Sequence, residues 1–186
     1  MKKTIKIVVM AVLCLNFLVN AQDKPATISP LKVGDKLPES FWQQEYTIYQ
    51  NGQTTRQTLT QNKGKLIILD FWATWCSACI SHFDFLDSLS KSNKGKLEII
   101  QVNSIVGTGD TESKIFSFFK DRPLSTPCIY QDTILKAMFP HTLIPHYVWI
   151  NRRGQVEAIT SSILVTAENI KKLTSNTDEI PKRKEN

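Results

Sequence analysis

The pattern of apolar and polar positions along the chain predicts an alternation of strands and helices. Residues 66–72 are an almost continuous apolar run of strand length, which is typical of a strand buried on both faces, and Leu97–Asn103 is predicted to be the next strand. Beyond Cys76 the apolar residues recur at helical spacing, and this change of period predicts one helix over about 76–91. Shorter elements are predicted further on, namely strands at 128–130, 146–150 and 155–159, a helix carrying Ile115, Phe118 and Phe119, and helices at 133–139 and 167–173.

A β-hairpin is predicted ahead of this alternation. Residues 46–49 and 54–59 favour strands, and Asn51-Gly52 between them suits a tight turn because both residues tolerate positive φ. The helices that join the middle strands predict parallel pairing, whereas a turn at 151–154 predicts an antiparallel end to the sheet. The succession as a whole predicts an α/β sandwich.

The first 21 residues have the three-part pattern of a secretory signal peptide. Three lysines precede an apolar run at 7–19, and cleavage is expected after Ala21. The alternative is an uncleaved segment that tethers the chain, although a membrane-spanning helix needs about 20 apolar residues. The remaining chain divides into a linker at 22–30, a single domain at 31–174 and a disordered tail at 175–186.

The charge of the chain is mild and its basic residues are scattered. The formal net charge is +6, and removal of the three lysines of the leader lowers it to +3. Nucleic-acid binding needs a basic stripe or a recognised module, and the sequence has neither. The predicted partners are therefore proteins, and nucleic acid is not expected.

The cysteines carry the main functional information. Loss of the leader removes Cys14 and leaves Cys76, Cys79 and Cys128, which is a C-x-x-C pair with one cysteine left over. The pair lies at a predicted strand-to-helix junction, where unpaired N–H groups favour a thiolate at Cys76. Cys79, three residues on, is placed to resolve a mixed disulfide. Cys128 is expected to be a buried packing residue.

Other chemistries for the C-x-x-C pair lack the residues they require. A zinc site needs about four ligands, and no second C-x-x-C or H-x₃-H accompanies the pair. Haem attachment requires a histidine directly after the second cysteine, where this chain has Ile80. No nicotinamide or flavin motif is present either, so neither a metal nor a cofactor is expected.

The segment from Asp70 to Cys79, Asp-Phe-Trp-Ala-Thr-Trp-Cys-Ser-Ala-Cys, resembles the thioredoxin superfamily, specifically its exported TlpA/ResA-like branch of AhpC/TSA-redoxin-like proteins. Ile144-Pro145 followed by Tyr-Val-Trp-Ile-Asn-Arg-Arg-Gly strengthens the resemblance, which covers about 31–174. It implies a thioredoxin-like three-layer sandwich, with a central mixed sheet flanked by helices and an N-terminal β-hairpin extension.

The resemblance also implies roles for individual residues. Pro145 is expected to be cis and to lie against Cys76, so that the backbone of Ile144 can pair with an extended substrate. Asp70 is expected to be a buried acid with a raised pKa that exchanges a proton with Cys79.

Two tryptophans and three histidines complete the predicted surroundings of the site. One of Trp72 and Trp75 is expected in the core, with Trp75 the substrate contact at the rim. His146 either tunes the thiols or is a partly exposed residue at a strand start. The sequence predicts surface positions for His82 and His141.

The predicted activity is exchange of a Cys76–Cys79 dithiol with disulfides of exported, periplasmic proteins by a monomer. The reductase direction is favoured, because relatives in this branch often keep exported thiols reduced, and electrons are then expected from a membrane-borne donor. Two alternatives remain open: a non-catalytic binding module on the same fold, and a peroxiredoxin-like thiol peroxidase. Peroxiredoxins place Thr or Ser three residues before the reactive cysteine, where this chain has Ala73.

Overall fold

The computed structural model describes residues 28–175. The predicted signal peptide with its cleavage after Ala21, most of the predicted linker and the tail from 176 onward lie outside the described residues. Between residues 28 and 175, no helix is long and apolar enough to cross a membrane.

The described chain is built on a seven-stranded mixed sheet. The strands are β1 Tyr46–Gln50, β2 Gln53–Gln57, β3 Leu66–Phe71, β4 Leu97–Asn103, β5 Cys128–Tyr130, β6 His146–Ile150 and β7 Val156–Thr160. Their order across the sheet is β2-β1-β5-β4-β3-β6-β7. β3 pairs in parallel with β4, β4 pairs in parallel with β5, and the outer pairings are antiparallel. The mixed sheet predicted from the sequence is therefore confirmed.

The helices connect and cover these strands. They are α1 Glu39–Gln43, α2 Ser77–Ile80, α3 Phe83–Ser92, α4 Glu112–Asp121, α5 Ile134–Met138 and α6 Ala167–Thr174, with short 3₁₀ turns at Thr60–Asn62 and Ser162–Leu164 and a kinked turn at Ile105–Thr108. The predicted hairpin turn is confirmed, because Asn51 and Gly52 both have positive φ, 51° and 79°. Thr111 caps α4 by accepting a hydrogen bond from the Lys114 N–H.

Two apolar cores lie on opposite faces of the sheet, which makes the three layers of the predicted sandwich. Successive residues of a strand point to opposite faces, so Leu66 and Ile68 enter one core while Ile67 and Leu69 enter the other. The first core contains the cysteine pair together with apolar residues of α3 and α4. The second contains apolar residues of α1 and α5.

The single helix predicted over 76–91 is wrong, because the structure divides it into α2 and α3. The His82 N–H bonds to the Cys79 carbonyl three residues back, so the chain makes a tighter turn between the two helices. Helical bonding resumes with Leu86, whose N–H donates to the His82 carbonyl. The apolar spacing continues through the break, and the sequence pattern therefore gave no sign of it.

The segment before the hairpin is more ordered than its polar, proline-dotted sequence suggests. Leu31 N–H donates to the Met138 carbonyl, and α1 buries Phe41 and Trp42 in the second core. The Trp42 ring lies over Gly154, where a Cβ atom would approach it to 3.2 Å, and Gly154 has φ of 75°. The positive φ favours glycine there, and any side chain would also have to displace the Trp42 ring slightly.

Candidate active site

The cysteine pair lies where the interior strand β3 gives way to α2. Cys76 is the N-cap residue of α2, and its sulfur accepts a hydrogen bond from the Cys79 N–H at 3.2 Å. Cys76 and Cys79 form a disulfide with their Cα atoms 5.3 Å apart. The exposed fraction is 6% for Cys76 and 0% for Cys79, so Cys76 is the sulfur nearer to solvent.

A buried carboxylate holds the loop in front of Cys76. Asp110 accepts hydrogen bonds from the Thr74 N–H at 2.8 Å, from the Thr74 hydroxyl and from the Asn103 amide at 2.7 Å. Asn103 ends β4, which pairs with β3. The Asp110 carboxylate therefore links the end of β4 to the loop that follows β3. The sequence analysis did not predict the contact between Asp110 and Thr74.

The two tryptophans beside the pair have separate environments. Trp72 is buried between Phe83, Phe118 and Phe119. Trp75 is 61% exposed, and its indole N–H donates to the Thr108 carbonyl at 2.7 Å. The division into one core and one rim tryptophan is as predicted.

The Ile144–Pro145 peptide bond is cis and lies directly before β6. His146 pairs with Phe71 in the sheet, so the register carried one residue further places Pro145 beside Trp72. Ile144 packs against the core cluster that contains both cysteines, and it shares a cavity with Trp75. Of the predicted substrate-contact residues, Trp75 and Ile144 line one cavity, and Pro145 and His146 follow Ile144 directly in the chain.

His146 forms a stacked pair with His141, with ring centroids 4.3 Å apart and planes at 15°. Both rings contact Phe71. Burial, together with the neighbouring His141 and Lys136, lowers the pKa of His146 to about 4. The surface position predicted for His141 is wrong, because its ring is half-buried in this stack. His82 is also half-buried, so its predicted surface position is wrong too.

Asp70 lies on β3 six residues before Cys76 and has no exposed surface. Burial raises the pKa of Asp70, the Tyr147 hydroxyl lowers it by a smaller amount, and the resulting pKa is about 8. Asp70 pairs with Tyr147 of β6 and with Gln101 of β4. Paired residues of neighbouring strands point to the same face, and Tyr147 belongs to the core of the cysteine pair. The carboxyl is thus directed to the cysteine side of the sheet.

The remaining cysteine is a packing residue, as predicted. Cys128 is free and fully buried in β5, and burial raises the pKa of its thiol. Within residues 28–175, no group of three His, Cys, Asp or Glu side chains is arranged to hold a metal ion.

Known proteins resemble this chain in sequence and in fold. A family model described as Thioredoxin matches residues 47–113. A thioredoxin from Rickettsia felis is 38% identical over 91 residues, which are 46% of this chain and 79% of that protein. The thiol-disulfide oxidoreductase ResA of Bacillus subtilis is 26% identical over 111 residues, 59% of this chain and 60% of that protein. Among solved structures, StoA from Bacillus subtilis has a TM-score of 0.53 at 21% identity, covering 68% of this chain and 96% of that chain.

A disulfide-forming C-x-x-C pair at the end of an interior strand of a mixed α/β sheet defines a class of protein. It is that of thiol–disulfide oxidoreductases with the thioredoxin fold. The chain belongs to the thioredoxin family. It spans 60% of the length of ResA, so that match covers only part of the relative, and the likeness to StoA concerns the fold alone.

Proposed function

We propose that this chain is an exported thiol–disulfide oxidoreductase that reduces disulfides in exported proteins. The observation that carries the proposal is the Cys76–Cys79 disulfide at the β3–α2 junction. Cys76 is the attacking sulfur because it is the more exposed of the two and has a backbone N–H donor at its sulfur. Such a donor stabilises the thiolate, which is the nucleophilic form.

The reaction proceeds in two exchanges. The Cys76 thiolate attacks one sulfur of the substrate disulfide, and the other substrate sulfur leaves as a thiolate that takes up a proton. Cys79 then loses its proton and attacks the Cys76 sulfur of the mixed disulfide. The second substrate sulfur leaves and is protonated, and the enzyme retains the Cys76–Cys79 disulfide. Two electrons and two protons have passed from the enzyme dithiol to the substrate.

Asp70 exchanges the proton of Cys79. As an ionised carboxylate it takes the proton when the Cys79 sulfur attacks, and as a carboxylic acid it returns the proton when the enzyme disulfide is reduced again. A pKa near 8 suits both directions, because a general acid–base group works best when its pKa is near the operating pH.

The rim of the site favours an extended polypeptide substrate with apolar side chains. Trp75, Val106 and Leu143 are exposed by 61%, 60% and 81%, and they come from three different loops. Trp75 and Val106 line the same cavity as Ile144, and Trp75 directly precedes Cys76 in the chain. We assign the backbone of Ile144 to pairing with the substrate. His146, the first residue of β6, is assigned to the same substrate-contact surface.

The source of the electrons that reduce the enzyme disulfide and the export of the chain are parts of the same proposal. Each turnover leaves a disulfide on the enzyme, and the chain has no nicotinamide or flavin motif, so a membrane-borne dithiol donor must reduce it. Export is supported by the basic and then apolar pattern of the first 21 residues.

The test is reduction of insulin disulfides by the chain from Gln22 onward, recycled by dithiothreitol. Cys76→Ser is expected to lower turnover to the uncatalysed rate. Cys79→Ser is expected to accumulate a mixed disulfide through Cys76, visible on a non-reducing gel. Cys128→Ala is the matched control, because it removes a thiol outside the pair, and it is expected to keep turnover. Wild-type turnover by Cys76→Ser would contradict the proposal and favour a non-catalytic binding module.

A further inference from the structure

Three polar side chains lie side by side in a row across the buried sheet. Tyr147 on β6 is paired with Asp70 on β3, and Asp70 is paired in turn with Gln101 on β4. All three are fully buried. Because paired residues of adjacent strands share a face, the three side chains form a ladder on the cysteine side of the sheet.

Within the described residues, the polar side-chain atoms of this ladder have no hydrogen-bond partners outside it. Both carboxyl oxygens of Asp70, both amide atoms of Gln101 and the Tyr147 hydroxyl make no hydrogen bond of standard geometry. A buried polar group left unpaired costs about 1–3 kcal/mol. Tyr130, one strand further, shows the usual outcome, because its hydroxyl is paired with the Thr54 hydroxyl at 3.2 Å.

The side chains around the ladder are mostly apolar, so the three members of the ladder are available to hydrogen-bond with one another. The helices on this face supply apolar side chains to the same core, including Phe83 and Leu86 of α3 and Ile115 of α4. The titratable groups buried in the core on this face are Tyr147 of β6, Tyr130 and Cys128 of β5 and the cysteine pair at α2. Asp70 and Tyr147 already influence each other, since the hydroxyl lowers the pKa of the carboxyl and the carboxyl raises that of the hydroxyl.

We propose that Tyr147 and Gln101 are positioning residues that hold Asp70 for proton exchange with Cys79. When Asp70 is ionised, the Tyr147 hydroxyl and the Gln101 N–H donate to its two oxygens from opposite sides. When Asp70 is protonated, its O–H donates to the Gln101 amide oxygen. The ladder therefore accommodates both states of the carboxyl without a change of fold. This inference rests on the role of Asp70 in the proposed function.

The test is a titration of Asp70 by the ¹³C shift of its carboxyl carbon, in the oxidised chain with wild-type, Tyr147→Phe and Gln101→Met sequences. Removal of a donor to the ionised form is expected to raise the midpoint by about one pH unit. Tyr130→Phe is the matched control, because it removes another buried tyrosine hydroxyl of the same core, and its midpoint is expected to equal that of wild type. Unchanged midpoints in Tyr147→Phe and Gln101→Met overturn the inference.

A kinetic measurement separates this inference from the proposed function. The rate at which Cys79 releases a coloured thiol from a mixed disulfide on Cys76 is followed against pH. Asp70→Asn is expected to remove the Asp70-dependent step from this profile, and Tyr147→Phe is expected to slow release about tenfold below the midpoint, following a shift of one unit. If Asp70→Asn leaves the profile unchanged, the proton role of Asp70 fails. If only Tyr147→Phe leaves it unchanged, the positioning role fails.

Discussion

Thr74 and Asp110 are joined by two hydrogen bonds across 36 positions of the chain, one from the Thr74 N–H and one from its hydroxyl. Hydrogen bonds to an ionised acceptor are roughly twice as strong as neutral ones. Asn103 adds a third donor to the same carboxylate. The loop that presents Trp75 and Cys76 is therefore anchored to the end of the neighbouring strand.

This anchor predicts a loss of stability and of activity in Asp110→Ala. The Thr74 N–H and the Asn103 amide would lose their acceptor, and buried donors left unpaired cost about 1–3 kcal/mol. We expect a drop of about that size in the free energy of unfolding, measured by urea titration, together with slower insulin reduction. Asp35→Ala is the control, because that exposed carboxylate bonds only the nearby Lys32 N–H. Wild-type stability of Asp110→Ala would show that the loop does not depend on the anchor.

Trp75→Ala is predicted to weaken substrate binding without unfolding the protein. The ring is exposed in the free chain, so its removal is expected to change the free energy of unfolding by less than about 1 kcal/mol. Loss of an aromatic contact with the substrate is expected to raise KM for a protein disulfide about 5–30-fold, since truncation of an aromatic anchor costs about 1–2 kcal/mol. The measurement is steady-state reduction of insulin.

Val33→Ala serves as the control for Trp75→Ala. Val33 is 57% exposed, and the next residue, Gly34, bonds to Val156 at the start of β7, the end of the sheet away from His146. Its KM is expected to match that of wild type. Equal KM values for Trp75→Ala and wild type would remove Trp75 from the contact surface.

Much of the sheet is predictable from the sequence because each strand is defined by its own residues. Leu97–Asn103, Cys128–Tyr130 and His146–Ile150 have the predicted bounds, since short apolar runs next to turn residues are a local signal. α1 was missed because its five residues are too few to show a helical period. It is held by Phe41 and Trp42, which are buried in the second core, and the sequence pattern does not report such tertiary contacts.

The same distinction applies to the candidate site. Residues close together in the sequence were predicted, whereas contacts between separate elements were not. Asp70, Cys76 and Cys79 fall within one string of ten residues, so the motif and its buried acid were visible in the sequence. The Thr74–Asp110 bonds, the His141–His146 stack and the ladder beside Asp70 join residues from different elements. Such contacts depend on strand order and register, and neither is encoded by hydrophobic period alone.

Asp70 is predicted to make stability fall as the pH rises. Its pKa is about 8 in the folded chain against the usual 3.8, so between these values the folded state binds more protons than the unfolded state. The free energy of unfolding then falls as the pH rises through this window, by at most about 1.4 kcal/mol per pH unit. Asp70→Asn is expected to flatten this slope and to exceed wild type in stability at alkaline pH. Urea unfolding of the oxidised chain at a series of pH values measures both the slope and the stability at alkaline pH. Equal slopes for Asp70→Asn and wild type would show that folding does not raise the pKa of Asp70.

His146 is predicted to act with the opposite sign, at acid pH. Its pKa is about 4 in the folded chain against the usual 6.5, because the ring is partly buried and lies near His141 and Lys136. Between these values the unfolded state binds more protons, so the free energy of unfolding falls as the pH drops through the window. His146→Gln cannot take up this proton and is expected to lose less stability than wild type between about pH 7 and pH 5. Proton NMR titration of the His146 ring gives a second, independent measure, and a ring that titrates near its usual value would remove His146 as the source of acid sensitivity.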